Sequence, residues 1–130
     1  MTGNKVLLDT SVVIELFKGD QEVLNFLDKQ QNVFIAAAVL AELYLGAYRS
    51  ANVQKHIEQI KAFLLQCTVL SADQATAEAC AKVKAALLQK GKPIPENDIW
   101  IAATALQYDL RLYTNDKHFS EVDSISLVGH

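Results

Sequence analysis

Apolar and polar positions along the chain form two kinds of pattern: short apolar runs and longer stretches with apolar residues at helical spacing. The short runs predict β-strands at residues 5–9, 32–35, 67–70 and 111–113, with residues 125–128 as a candidate for a last strand. The longer stretches predict helices at residues 12–17, 21–30, 38–50, 53–65, 73–90 and 97–108; Thr10, Ser11, Asp73 and Asn97 are the starting residues and Gly19 and Gly91 the stops. Because strands and helices alternate, we expect an α/β fold with a mostly parallel sheet and helices on both faces.

The composition indicates a single packed domain over residues 1–130. Hydrophobic residues make up 51% of the chain and charged residues 21%, which argues against disorder. The apolar runs are far shorter than the roughly 18–20 residues that span a bilayer, and the first residues lack the pattern of a signal peptide. We therefore expect a cytoplasmic protein with no membrane partner.

Cys67 and Cys80 are isolated, which favours two reduced core residues over a zinc site or a disulfide.

The charge balance bears on nucleic acid as a partner. A net charge of −3 argues against broad electrostatic affinity for nucleic acid. Four lysines lie close together in the second half of the chain, but a solvated helix face is their simpler interpretation; they are Lys82, Lys84, Lys90 and Lys92. Cations bound among clustered acids would reverse the local field, so a nucleic-acid substrate is not excluded.

Four acidic residues stand beside apolar runs, where a charge is unexpected: Asp9, Glu42, Asp98 and Asp116. Asp9 and Asp116 close strand-like stretches, Asp98 opens a helix, and Glu42 lies about one turn into the helix after the second strand. Sites in parallel sheets form at the carboxyl ends of the strands, so all four acids can reach one rim. Taken singly, three have simpler structural roles, as helix-start, first-turn or turn-forming residues.

Glu42 is harder to explain structurally, because its neighbours Val39, Leu40, Leu43 and Tyr44 leave little polar surface. A buried, unpaired carboxylate is costly unless it takes up a proton, an ion-pair partner or a metal. Two carboxylates about 5 Å apart repel each other by roughly 3 kcal/mol at an effective dielectric constant near 20. Four converging carboxylates therefore require protons or divalent cations. Without an EF-hand spacing, oxygen-only ligands favour magnesium or manganese.

Other catalytic patterns fit the sequence poorly. It contains no GxSxG elbow, no GxGxxG and no glycine-rich phosphate loop. Its histidines, His56, His118 and His130, form no ligand pair, and we interpret His118 and Lys117 as exposed loop residues, with a supporting role left open. A phosphatase with Asp9 as nucleophile is disfavoured because no second aspartate follows two residues later. The favoured chemistry is that of a metal-dependent phosphodiesterase.

The ordered set LLDTSVVIEL, AEL, NDIWIAATAL and YTNDKHF resembles PIN-domain nucleases and, among them, the VapC-type toxins of type II toxin–antitoxin modules. The resemblance covers essentially the whole chain and implies a three-layer α/β/α sandwich. It also implies magnesium- or manganese-dependent cleavage of RNA, with structured RNA such as tRNA or rRNA as the expected substrate class. The family's acidic quartet matches Asp9, Glu42, Asp98 and Asp116. Of these, Asp9, Asp98 and Asp116 are the expected metal ligands, and Thr10, Ser11 and Thr114 match the hydroxyls that orient the carboxylates.

The same resemblance implies two protein partners, a second copy in a homodimer and a small antitoxin. The antitoxin would lay an apolar segment in a groove between helices. The candidate apolar contributors to the dimer and antitoxin surfaces are Phe17, Leu43, Tyr44 and Tyr48, although core packing is the simpler interpretation for at least half of them.

Two alternatives remain open from the sequence. One is a housekeeping PIN nuclease that processes RNA or DNA without a toxin role. The other is a non-catalytic module, in which the acids hold a structural ion or a basic partner peptide. One or two metal ions are both compatible with the four acids.

Overall fold

A computed structural model describes residues 4–129, and its elements follow the predicted order. The strands are β1 (Lys5–Leu8), β2 (Asn32–Ala36), β3 (Thr68–Leu70) and β4 (Arg111–Tyr113). The helices are α1 (Thr10–Phe17), α2 (Gln21–Asp28), α3 (Ala37–Tyr48), α4 (Val53–Leu64), α5 (Gln74–Gln89) and α6 (Glu96–Gln107), and a short 3-10 helix (Lys117–Glu121) follows β4. Most predicted ends lie within two residues of these bounds.

The four strands form one fully parallel sheet in the order β3-β2-β1-β4. Val6 of β1 pairs with Val33 on one side and with Arg111 on the other. Three consecutive residues of β1, Val6, Leu7 and Leu8, have no exposed surface. Because successive side chains of a strand point to opposite faces, both faces of the sheet are covered. The expected three-layer α/β/α sandwich is therefore confirmed.

The order of the strands fixes where a site can form. The chain moves from β1 to β2 and β3 towards one edge, and then returns through α5 and α6 to add β4 beside β1. The direction of winding thus reverses between β1 and β4. In open parallel sheets, ligands bind in the crevice at such a reversal, outside the carboxyl ends of the strands.

Helix α6 is more deeply buried than an amphipathic surface helix. Its middle is buried over Ile101–Ala105, where small side chains allow close approach to the sheet. Helix α5 packs against it through the buried residues Cys80, Val83 and Leu87. A buried α6 holds its first turn, which carries Asp98, in a fixed position at the carboxyl edge of the sheet.

Two predictions about element ends were wrong. Asn97 does not cap α6: the helix begins at Glu96 with Pro95 in the capping position, so Asn97 lies inside the first turn. The candidate strand at residues 125–128 reduces to a single parallel bridge between Leu112 and Leu127. Leu112 is the middle residue of the three-residue strand β4. Its backbone N–H and carbonyl bond to Ser126 and Val128 on the outer side, whereas the backbone groups of Arg111 and Tyr113 face β1. Only Leu112 can therefore pair on the outer side.

The cysteines behave as small core residues. Both thiols are free; Cys80 is buried and Cys67 is partly buried. Burial raises the pKa of the Cys67 thiol to about 11 and also raises the pKa of Cys80. Neither is a reactive thiolate at neutral pH.

Within residues 4–129, no helix has both the length and the hydropathy needed to cross a bilayer.

Candidate active site

Asp9 is a buried carboxylate at the junction of β1 and β4. Its backbone N–H donates to the carbonyl oxygen of Tyr113 at 3.0 Å, which joins the ends of the two strands. Asp9 occupies the capping position of α1, but its side chain makes no cap hydrogen bond. Instead, its Oδ2 accepts hydrogen bonds from the hydroxyls of Thr114 (2.7 Å) and Ser11 (3.1 Å). With 4% of its surface exposed, Asp9 is oriented by other side chains rather than used to start a helix.

The loop after β4 is fastened to the start of α1. Thr114 donates to Asp9, and its Oγ1 also accepts the backbone N–H of Asp116 at 2.9 Å. The backbone N–H of Asn115 donates to the hydroxyl of Ser11 at 3.1 Å. These bonds bring Asp116 to the same edge of the sheet as Asp9, although the two residues lie more than 100 positions apart.

Asp98 and Asp116 both contact the same nitrogen of the His118 ring. Asp98 projects from the first turn of α6, and 13% of its side chain is exposed. His118 Nδ1 lies 3.1 Å from Asp98 Oδ2 and 3.1 Å from Asp116 Oδ1. The backbone N–H of His118 donates to the same Asp116 oxygen at 2.9 Å. Asp98, Asp116 and His118 can each offer one donor atom within 4.8 Å of the other two.

The charges in this group act strongly on one another. Burial raises the pKa of the Asp98 carboxyl, and the negative charges of Asp116 and Asp9 raise it further, against the opposing effect of the His118 hydrogen bond. The hydrogen bond to Asp98 in turn raises the pKa of the His118 imidazole, and the carboxylate charges act in the same direction. The group thus holds excess negative charge that a cation would neutralise.

Glu42 lies beside the first residue of α1, next to Asp9. Its Oε1 accepts a hydrogen bond from the Thr10 hydroxyl at 2.9 Å, and Thr10 is the residue directly after Asp9. Glu42 is not among the three residues whose donor atoms lie within 4.8 Å of one another, and neither is Asp9. The structure therefore brings Asp98 and Asp116 into one tight group, to which Thr114 links Asp9. Glu42 is held by the hydroxyl of Thr10, the residue after Asp9.

The donor atoms suit a hard divalent cation. Three aspartates and one glutamate supply oxygen, which magnesium and manganese prefer. Both hydroxyl donors to Asp9 converge on Oδ2, which leaves Oδ1 for a ligand. Hydrogen bonds that hold a carboxylate in one orientation are typical of metal sites. The oxygen donors of Asp98 and Asp116, with the remaining oxygen of Asp9 at the same edge of the sheet, therefore fit a divalent cation.

The interpretation of His118 as an exposed loop residue was incomplete. Half of its side chain is exposed, but its ring contacts two of the four acids. The only sequence signal was its position two residues after Asp116, which places it in the first turn of the 3-10 helix that Asp116 caps. Lys117 is exposed, as interpreted.

An apolar groove adjoins the acidic rim. It has a volume of about 340 Å³, and Thr10 and Glu42 lie among its lining residues. Ile14 and Phe17 of α1 and Leu43 of α3 contribute apolar surface, and 42% of Ile14 is exposed. The other two proposed contributors, Tyr44 and Tyr48, stack on each other with ring centroids 6.4 Å apart and do not line this groove.

Comparisons with known proteins agree with this geometry. The chain matches the PIN domain family over residues 6–125. It is 36% identical over 114 residues to Ribonuclease VapC2 of Haemophilus influenzae, with 86% of each chain covered. It is 28% identical over 124 residues to the tRNA(fMet)-specific endonuclease VapC of Shigella flexneri, with 93% of this chain and 94% of the relative covered.

The fold also has a counterpart among solved structures. The crystal structure of VapBC2 from Rickettsia felis, bound to a DNA fragment from its promoter, superposes with a TM-score of 0.90 at 25% identity. The superposition covers 95% of this chain and 96% of that chain. The chain therefore belongs to the PIN domain family and, within it, to the VapC group.

Proposed function

We propose that this chain is a Mg²⁺- or Mn²⁺-dependent endoribonuclease and the toxin of a type II toxin–antitoxin module. The observation that carries the proposal is the group formed by Asp98 and Asp116 where the strand order reverses, with Asp9 linked to it through Thr114, in a chain of the VapC group. A structured RNA is the proposed substrate. A transfer RNA is the first to test, because one relative is named as specific for tRNA(fMet).

We assign the roles by position. Asp9, Asp98 and Asp116 would hold the cation, and Ser11 and Thr114 would keep Asp9 in its binding orientation. When bound, a divalent cation neutralises charge on the scissile phosphate and lowers the pKa of water.

Glu42 has a separate role in this proposal. The Thr10 hydroxyl holds its Oε1, which leaves Oε2 to position the attacking water and to accept a proton from it.

The direct test is cleavage of folded tRNA by the purified wild-type protein with Mg²⁺, with Mn²⁺ and with a chelator. We expect discrete cleavage products with either ion and none with the chelator. Binding of a metal ion without cleavage of any structured RNA offered would favour the non-catalytic module. Cleavage that persists in the chelator would contradict metal dependence.

The antitoxin is the proposed occupant of the apolar groove beside the acids. A short apolar segment would contact Ile14, Phe17 and Leu43, and a basic side chain would reach the acids beyond Glu42. Co-expression with the small protein encoded next to this chain should yield a stable complex with suppressed RNA cleavage. An Ile14→Asp variant, changed at a lining residue that is 42% exposed, should fail to form it. Failure of the wild type to retain any such partner would favour a housekeeping nuclease.

The homodimer is also a proposal. Size-exclusion chromatography with light scattering should give twice the mass of the 14.3 kDa chain. A monomer that cleaves RNA at full rate would contradict the homodimer and leave the proposed nuclease function intact.

Thr114 offers a test of how the carboxylates are held. Thr114→Val removes the donor to Asp9 and the acceptor for the Asp116 backbone N–H. Because both carboxylates then lose an orienting bond, we expect kcat/KM for RNA cleavage to fall roughly 10- to 100-fold. Thr114→Ser retains the hydroxyl and is the matched control, with activity near that of the wild type. Equal kcat/KM for the valine and serine variants would show that the hydroxyl does not orient Asp9.

A further inference from the structure

His118 lies where a metal ligand is expected. Its Nδ1 is 3.1 Å from an oxygen of Asp98 and 3.1 Å from an oxygen of Asp116. Neighbouring ligands in an octahedral shell with bonds of about 2.1 Å are separated by about 3.0 Å. The imidazole nitrogen is thus spaced from each carboxylate oxygen as a neighbouring ligand in such a shell would be.

The position of the ring is determined by the backbone. The His118 N–H donates to Asp116 Oδ1, and the next residue, Phe119, is fully buried. His118 is therefore attached to a fixed point of the fold, while half of its side chain remains open to solvent and to an incoming ion. The four acids supply only oxygen, so His118 is the one nitrogen donor in this group among the residues that the structure describes.

We infer that His118 Nδ1 is a direct ligand of the divalent ion, beside Asp98 and Asp116, and that this nitrogen makes the site prefer Mn²⁺ to Mg²⁺. The inference rests on the proposed metal-dependent function. Mg²⁺ prefers oxygen ligands and gives up its waters reluctantly. Mn²⁺ accepts carboxylates equally well and, as a transition-metal ion, gains more from an imidazole ligand. Ligation requires the neutral ring, with its lone pair on Nδ1 and its proton on Nε2.

The test is pulsed electron paramagnetic resonance of the full-length protein loaded with one equivalent of Mn²⁺. An imidazole nitrogen bound to Mn²⁺ gives a nitrogen modulation of the electron spin echo, independent of catalytic activity. We expect this modulation in the wild type and its loss in His118→Ala. His56→Ala is the matched control: it removes a histidine from α4 and should leave the modulation unchanged.

Metal affinities give a second readout. We expect the wild type to bind Mn²⁺ at least about tenfold more tightly than Mg²⁺, and His118→Ala to weaken Mn²⁺ binding about 10- to 100-fold with less than about threefold change for Mg²⁺. His118→Asp would give an all-oxygen set of ligands and should remove the preference for Mn²⁺ over Mg²⁺.

The outcomes separate the two proposals. Mn²⁺ that binds in the wild type, is lost in Asp98→Asn and shows no nitrogen modulation would overturn the role of His118 and leave the metal-dependent nuclease intact. Mn²⁺ binding that is indifferent to both Asp98→Asn and His118→Ala would overturn the metal site itself. A modulation that survives in His118→Ala would assign the nitrogen to another residue and would also overturn the inference.

Discussion

Asp98→Asn should lower the rate of RNA cleavage by about a thousandfold and leave the metal-free protein folded. A bound cation supplies several kcal/mol of transition-state stabilisation, and each ~1.4 kcal/mol is a factor of ten in rate. The amide of asparagine is a poor substitute for a carboxylate as a ligand for Mg²⁺ or Mn²⁺. Single-turnover cleavage of the same RNA by wild type and variant measures the effect.

The same substitution should raise the stability of the metal-free protein. The pKa of Asp98 is raised in the folded state, first by burial and then by Asp116 and Asp9, so ionised Asp98 costs stability at pH values above its folded pKa. Below its unfolded pKa of about 4, the group is protonated in both states and this cost disappears. In a chelator, Asp98→Asn should therefore unfold at a higher urea concentration than wild type at pH 7, and the difference should shrink towards pH 3.5.

Glu96→Gln is the matched control for both measurements. Glu96 also lies in the first turn of α6, but it is exposed and pairs with Lys84 at 2.9 Å. It should retain RNA cleavage and change stability by less than about 1 kcal/mol. A large loss of metal-free stability in Asp98→Asn, beyond that of Glu96→Gln, would assign Asp98 to the start of the helix rather than to a metal site.

Phe119→Ala should be the most destabilising single substitution near the site. Phe119 is fully buried in the 3-10 helix and directly follows His118. Truncation of a buried phenylalanine costs about 3–5 kcal/mol, against a total stability of about 5–15 kcal/mol for a domain of this size. Urea denaturation of the metal-free protein gives the change in the free energy of unfolding.

The consequence should extend to the acids. Without the Phe119 anchor, the loop that carries Asp116 and His118 should loosen, and Mn²⁺ should bind more weakly. Phe119→Leu largely preserves the packed volume and should cost less than about 1.5 kcal/mol. If Phe119→Ala cost no more than Phe119→Leu, the core would not be what positions this loop.

The sequence was sufficient for the elements and for the edge at which the acids meet. Hydrophobic spacing is a local property, so the helix and strand order followed from it, and Asp9 and Asp116 fell at strand ends. It could not give the order of the strands, because the neighbouring position of β1 and β4 depends on contacts more than 100 residues apart. That adjacency is what allows Thr114 to orient Asp9.

The details of the site depended on bonds that no spacing rule contains. Glu42 was expected to lie among apolar neighbours, and its partner proved to be the hydroxyl of Thr10, 32 residues earlier. His118 contacts Asp98, 20 residues away, only because the chain turns at Asp116 into a short 3-10 helix. The cap of α6 was misassigned because Asn97 is a good starting residue, whereas the helical conformation already begins at Glu96, directly after Pro95.

We propose that the carboxylates of Asp9, Asp98 and Asp116 together hold a divalent ion. Anomalous diffraction from crystals of the wild-type protein grown with Mn²⁺ would locate this ion. We expect one strong anomalous peak within about 2.0–2.4 Å of oxygens from Asp98 and Asp116, with an oxygen of Asp9 bound directly or through water. A fully occupied Mn²⁺ elsewhere on the protein, with no peak between these three side chains, would contradict it.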